Sequence, residues 1–137
     1  MQYFLAKTDP ETYSIHDFVK EKKTVWNGIK NPGALLVIKT MKPGDKVFIY
    51  HSQGGKPAIV GLAQITSDPR PDTQIAKSWV VDMELLKVYK EEVTLREIKE
   101  TGLFDDWALV YRSRLSTMAV PEKFVLWMEK NYPGTTV

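Results

Sequence analysis

Lys42-Pro43-Gly44-Asp45, followed by Lys46-Val47-Phe48-Ile49-Tyr50-His51-Ser52, is the stretch on which the fold turns. Proline then glycine at the centre of the first four residues suits a type II turn: one presets a negative φ, the other tolerates a positive one. The residues after it are rich in β-branched and aromatic side chains and read as a strand over 46–52. Gln53-Gly54-Gly55-Lys56-Pro57 is a loop. Residues 58–66 are the next strand, with Gly61 in its middle marking a bulge or a close backbone approach.

Working outward toward the N-terminus, residues 3–6 read as a strand that Thr8-Asp9-Pro10 breaks. Ser14 then looks like an N-cap, with Asp17 three residues on, and the short helix it opens carries Ile15, Phe18 and Val19 inward. Residues 25–30 read as a compact, irregular segment. Asn31 before Pro32 is a second helix start, cap then first-turn proline, and this helix is expected to run to about Met41. Toward the C-terminus, residues 67–77 form a Pro- and Asp-containing loop. Residues 79–89 make a long strand in which Val81, Met83 and Leu85 alternate with Asp82 and Glu84. Thr94 caps a helix with Glu97 at the capping-box position. Residues 115–119 suit a last strand, and Pro121 opens a terminal helix with Phe124, Trp127 and Met128 on one face. Strands outnumber helices. The class is α+β: a twisted, mostly mixed sheet or small barrel, strongly bent, with short flanking helices at its rim.

The 137 residues are the usual size of one domain, so a single domain over 1–137 is expected. The absence of cysteine excludes disulfides, thiolate nucleophiles and zinc–thiolate or iron–sulfur sites. No apolar run approaches the roughly 20 residues of a membrane span. The N-terminus, Met1-Gln2-Tyr3-Phe4-Leu5-Ala6-Lys7, reads as a first strand rather than a signal peptide. These features predict a soluble intracellular protein, cytoplasmic or, in a eukaryote, nuclear. Net charge is +2, but residues 1–60 carry nine Lys against five acids while residues 61–137 carry ten basic groups against twelve acidic ones. A mildly basic N-terminal half suits phosphate contacts, or is an ordinary solvated surface.

Catalytic constellations are thin. Ser52, His51 and Asp45 assemble a triad on paper, but adjacent strand residues point to opposite faces. There is no HExxH, P-loop or GxGxxG, and no spacing of acids favours a metal; no cofactor is expected. Binding features are richer. Trp26 lies between Val25 and Asn27-Gly28, where an indole can stack on a base and amides can read its edge, or where it can anchor the first helix. Gly28 permits a positive φ and close approach of a ligand. Arg112-Ser113-Arg114-Leu115-Ser116 interleaves guanidiniums with hydroxyls, groups suited to phosphates or base edges, or an ordinary surface before a strand. Trp79 begins the long strand as core or as platform.

Taken in order, these stretches resemble the EVE domain family. Lys7-Thr8-Asp9-Pro10 stands where that family has a Lys-Ser-Glu-Pro-like turn, and residues 25–31, Val-Trp-Asn-Gly-Ile-Lys-Asn, where it has Val-Trp-Asp-Gly-Val-Arg-Asn. Met41-Lys42-Pro43-Gly44-Asp45 matches its turn outright. Ile49-Tyr50-His51-Ser52 and Ile59-Val60-Gly61-Leu62-Ala63 match its paired strands, and Ser113-Arg114-Leu115-Ser116 its closing segment. The chain departs from the family at Asn27 and Lys30, and in the more apolar helix after Asn31. Lysine for arginine loses a planar bidentate fork; asparagine for aspartate loses a charge and gains a donor.

The resemblance implies a PUA-like fold, similar to the YTH readers of methylated adenine in RNA. It also implies a binding module, not an enzyme, that takes a modified nucleobase of DNA or RNA into an aromatic-lined pocket. Trp26 becomes a wall of that pocket, with Asn27, Gly28 and Asn31 shaping it. Tyr50, His51 and Ser52 line its floor or rim, Ser113, Arg114 and Ser116 close it, and Trp79 is a second wall. Lys7, Lys30 and Arg112 become phosphate contacts. Any effector is then a separate protein, and the module is a monomer or weak dimer. Two alternatives stand beside this: an accessory to RNA modification or processing, and a small-molecule enzyme with His51 as base.

Overall fold

The Pro43-Gly44 turn closes as its composition requires. Gly44 sits at φ 95° and the Asp45 N–H donates to the Lys42 carbonyl at 3.0 Å. The turn launches β3 (Lys46–His51), which lies between β1 (Tyr3–Thr8), parallel to it, and β4 (Ala58–Ile65), antiparallel. A parallel pair needs a long crossover. Here the crossover holds α1 (Ile15–Glu21), β2 (Lys23–Trp26) and α2 (Pro32–Ile38). The long β6 (Trp79–Thr94) pairs with β4 on one side and β2 on the other, and β7 (Thr117–Ala119) adds to β1. The order is β2-β6-β4-β3-β1-β7, with the short β5 (Arg70–Pro71) on the start of β6. The computed structural model describes residues 1–52, 56–111 and 114–137.

The mixed sheet curls until its two edges meet. Trp26 on β2 donates its indole N–H to the Thr117 hydroxyl on β7 at 3.2 Å, and α2 packs against both β6 and β7 across the opening. The result is a curled half-barrel with short flanking helices, the architecture expected. β3 and β4 are buried almost end to end, so they lack hydrophobic alternation because both faces are covered. Phe48 meets Tyr3 and, edge-on, Phe124. Phe124 on α5 (Glu122–Asn131) in turn packs with Phe104, Trp107 and Trp127 at centroid distances of 4.6 to 5.6 Å. Two of the four tryptophans therefore belong to the aromatic core.

Gly61 carries both features read from it. The β4–β6 register shifts beside it, so residues 89–92 oppose the single residue Val60. A Cβ there would lie 2.7 Å from the Lys87 carbonyl oxygen and 2.9 Å from Ile15 Cδ1. The missing side chain lets α1 sit directly on the sheet, and so sets the height of the segment before it.

Several local expectations are corrected. Residues 25–26 are not irregular: β2 is a strand because Lys23 to Trp26 find partners on β6, from Glu84 to Val81. α2 ends at Ile38, and Met41 stays buried through the turn that follows, which mimics helical spacing. Val19 is 43 % exposed, because α1 meets the sheet by the narrow stripe of Ile15 and Phe18. β6 runs on to Thr94; the charged Lys90-Glu91-Glu92 that disguised it falls in the bulge. The last strand is confined to residues 117–119, and β5 and the one-turn α4 (Ala108–Tyr111) went unforeseen. The helix capped by Thr94 is present as α3 (Leu95–Glu100), with Glu97 N–H donating to the Thr94 hydroxyl at 3.1 Å. Among the described residues no helix is long and apolar enough to cross a membrane.

Candidate functional site

A cavity of about 630 Å³ opens where β1, α1 and β2 converge. That is within the usual size range of small-ligand sites. Its lining comprises Lys7, Thr8 and Asp9 from the end of β1, Thr12 and Tyr13 from the turn, Glu21 from α1, residues 24–30, and Ser116 ahead of β7.

β2 decides which side chains reach it. Successive strand residues face opposite ways, and the burial alternates with Thr24 and Trp26 turned inward. Trp26 is half-buried and packs against the core on one side. Its N–H is engaged by Thr117, so what the ring offers the cavity is its π surface. Trp26 is thus both anchor and wall. Beyond it the chain must turn sharply, and Gly28 does so at φ 75° with nothing within 4 Å of where a Cβ would stand. Ile29 is fixed behind the loop by the buried Ser78 hydroxyl, which donates to its carbonyl at 2.7 Å. Asn27 and Lys30 are left exposed on the rim.

Tyr13, a second aromatic ring of the lining, was missed. The signal was present: the Ser14–Asp17 capping box makes Tyr13 the residue before the cap and Phe18 the fourth helical residue, a hydrophobic staple. The two rings lie 6.0 Å apart. The Tyr13 hydroxyl donates to Glu21 Oε1 at 2.6 Å. Burial and that carboxylate push the phenol up to about 12.

Lys7 is half-buried above the Tyr50 ring, 5.7 Å from its centroid, and burial holds its ammonium below the usual lysine range. Lys7 and Lys30 share the lining with the carboxylates of Asp9 and Glu21. The lining is therefore balanced in charge.

The remaining expected site residues lie elsewhere. Asn31 does not shape the cavity: its carboxamide oxygen caps α2, accepting from Gly33 and Ala34 N–H at 2.8 and 3.2 Å. Tyr50, 3 % exposed, is not floor but the support under Lys7. His51 faces a different cavity, its Nε2 accepting the Ile15 N–H at 3.0 Å. Ser52 N–H is tied to the Thr8 carbonyl at 3.1 Å, and Ser52 is outside the lining. Trp79 is no second wall; it carries the Lys39 ammonium over its ring at 5.1 Å, beside α2. Arg114 is exposed and outside the lining. Arg112 and Ser113 fall outside the described residues. The paper triad is dispersed, since Asp45 sits at the opposite end of β3 from His51 and holds the Gln2 and Lys42 N–H groups. Among the described residues no group of three or more acids and histidines is arranged to hold a metal ion.

This geometry sits in a fold with known relatives. Thymocyte nuclear protein 1 of Rattus norvegicus is 29% identical over 170 residues, an alignment covering 96% of this chain and 75% of that protein. The solved structure of Rpa0253 from Rhodopseudomonas palustris superposes with a TM-score of 0.87 at 34% identity, covering 95% of this chain and 92% of the other. Human THYN1, solved in complex with 5-methylcytosine containing DNA, gives 0.83 at 24% identity over 97% of this chain and all of its own. The MmI1 YTH domain shares the fold more distantly, at a TM-score of 0.57, 19% identity and 96% coverage of both chains. The EVE domain model matches residues 2–131, and the chain belongs to the EVE domain family.

Proposed function

We propose that this chain is a single binding module that recognises a modified nucleobase in DNA or RNA, with the Trp26 cavity as the base pocket. One observation carries the reading. An oriented indole, a second aromatic ring, amide, hydroxyl and carboxylate groups and two lysines converge on one cavity of ligand size. A flipped or single-stranded base stacks on Trp26. Asn27, Ser116 and the Tyr13–Glu21 pair read its edge, and Lys7 and Lys30 hold the backbone. Human THYN1, which shares the fold, was solved with 5-methylcytosine containing DNA, and this supports a modified base as ligand.

Binding rather than catalysis is favoured by His51, whose Nε2 already serves a backbone N–H and which is not among the residues lining the cavity. The finer reading is a monomer or weak dimer, cytoplasmic or nuclear, that recruits a separate effector protein.

The test is calorimetric titration of oligonucleotides with and without 5-methylcytosine against the parent and Trp26→Ala, beside thermal melts of both. Loss of one stacking partner predicts affinity lower by roughly 5- to 150-fold, from about 1–3 kcal/mol per stacked base. Equal affinity in a folded Trp26→Ala protein refutes the pocket assignment.

A further inference from the structure

Residues 9–15 form a wall between two cavities. Asp9, Thr12 and Tyr13 face the Trp26 cavity. Pro10, Ser14 and Ile15 face a second one of about 650 Å³, which also contains His51. The far end of this wall is the start of α1, where the first N–H groups of a helix have no partner within it. The capping box satisfies two donors: Asp17 N–H reaches Ser14 Oγ at 3.1 Å, and Ser14 N–H reaches the Asp17 carboxylate at 2.9 Å. The Ile15 N–H goes instead to the sheet, to His51 Nε2 at 3.0 Å. A ring nitrogen that accepts a hydrogen bond carries no proton, so this imidazole is neutral with its proton on Nδ1.

We propose that His51 is a proton-sensitive clamp: protonation of Nε2 removes the acceptor of the Ile15 N–H and loosens the wall that shapes the Trp26 cavity. An imidazolium is donor-only at both nitrogens, so the contact becomes donor against donor. The clamp is closed at neutral pH and opens as pH falls.

The surroundings set where it opens. Burial opposes the charge first, and His16 on α1 opposes it as a like charge; Glu92 on β6 favours it. Lys56, ahead of β4, also lines this cavity. The Asp17 carboxylate is held by Ser14, and the Tyr89 hydroxyl donates away to the Thr135 carbonyl at 2.5 Å. The balance holds His51 below the ordinary histidine value of 6.5. The rest of the wall stays tied, with Thr8 Oγ1 donating to the Tyr13 carbonyl at 2.7 Å and Tyr13 N–H to the Asp9 carbonyl at 2.8 Å. Release is therefore local opening rather than unfolding.

NMR of the full chain from pH 8 to 5 tests this, following the His51 ring nitrogens and amide exchange at Ile15, corrected for intrinsic rate. The expected result is loss of about fivefold protection at Ile15, the usual worth of one hydrogen bond, with the midpoint of His51. His51→Gln keeps an acceptor and should flatten the step. His16→Gln should keep the step and raise its midpoint. Protection that ignores the His51 titration, or a step that survives in His51→Gln, overturns the clamp. The consequence for nucleic acid rests on the function proposed above, so affinity for a single-stranded 5-methylcytosine oligonucleotide is measured at the same pH values. A parallel fall in affinity supports the coupling, and constant affinity while Ile15 opens refutes it. No binding at any pH refutes the proposed function, while the Ile15 exchange still judges the clamp.

Discussion

Thr117→Val separates the two roles of Trp26. The change keeps the shape of a fully buried side chain but removes the hydroxyl that accepts the indole N–H across the sheet opening. A neutral hydrogen bond contributes about 1 kcal/mol net, and leaving a buried donor without a partner costs about 1–3 kcal/mol. Trp26 is half-buried, so water can partly replace the lost partner, and the lower end, about 1 kcal/mol, applies. For a chain of this size that lowers Tm by roughly 3–5 °C. Trp26→Phe should lose the same bond and some ring area, about 1–2 kcal/mol. The double variant should be more stable than the sum of the two losses by about 1 kcal/mol, because both remove one interaction. The assay is urea unfolding of the four proteins, with oligonucleotide titration on each. Thr117→Val retains the stacking ring, so its affinity should stay within a few-fold of the parent. Strict additivity of the two stability losses would show that the edge-to-edge contact contributes nothing. Loss of binding in Thr117→Val as deep as in Trp26→Ala would show that the ring acts by closing the sheet rather than by stacking.

Gly61→Ala places a methyl 2.7 Å from the Lys87 carbonyl oxygen, and overpacking of this kind costs about 1–3 kcal/mol; a lower urea midpoint measures it, and an unchanged one refutes the close-packing account of α1. Oligonucleotide affinity should fall with salt, and Lys7→Gln should reduce the slope of log K against log salt by roughly 0.7–0.9, the contribution of one phosphate contact; an unchanged slope removes Lys7 from the phosphate set. The Tyr13 phenol sits at about 12, above its ordinary value of 10.0. Its folded-state pKa is raised, so its contribution to stability is present below 10 and lost as pH rises through about 12. Tyr13→Phe should make the alkaline decline in chemical-denaturation stability shallower, and an identical decline would refute the Tyr13–Glu21 pairing.

Local chemistry by itself determined a good deal of this molecule. Pro43-Gly44 is one of few ways to make its turn, Ser14 with Asp17 and Asn31 with Pro32 are helix starts wherever they occur, and a glycine within an apolar strand signals a close approach. Those are properties of a few adjacent residues, so they survive translation into structure. Trp26 and Gly28 were legible as a wall and its turn for the same reason. What lay beyond sequence was every choice made by a distant partner. Residues 23–26 are a strand only because β6 lies beside them, and Asn31 is withdrawn from the cavity because α2 needs its carboxamide oxygen. Tyr50 and His51 were grouped with the site because they are neighbours in the chain. Adjacent strand residues point to opposite faces, and the sheet placed one beneath Lys7 and the other against α1. Tyr13 and Glu21, invisible as site residues, reached the cavity through the staple and the α1 seat on Gly61. The cavity itself is a product of curvature. Its walls come from β1, α1, β2 and the segment before β7, and they converge only because the twisted sheet bends until Trp26 reaches Thr117, a contact between residues 91 apart in the chain.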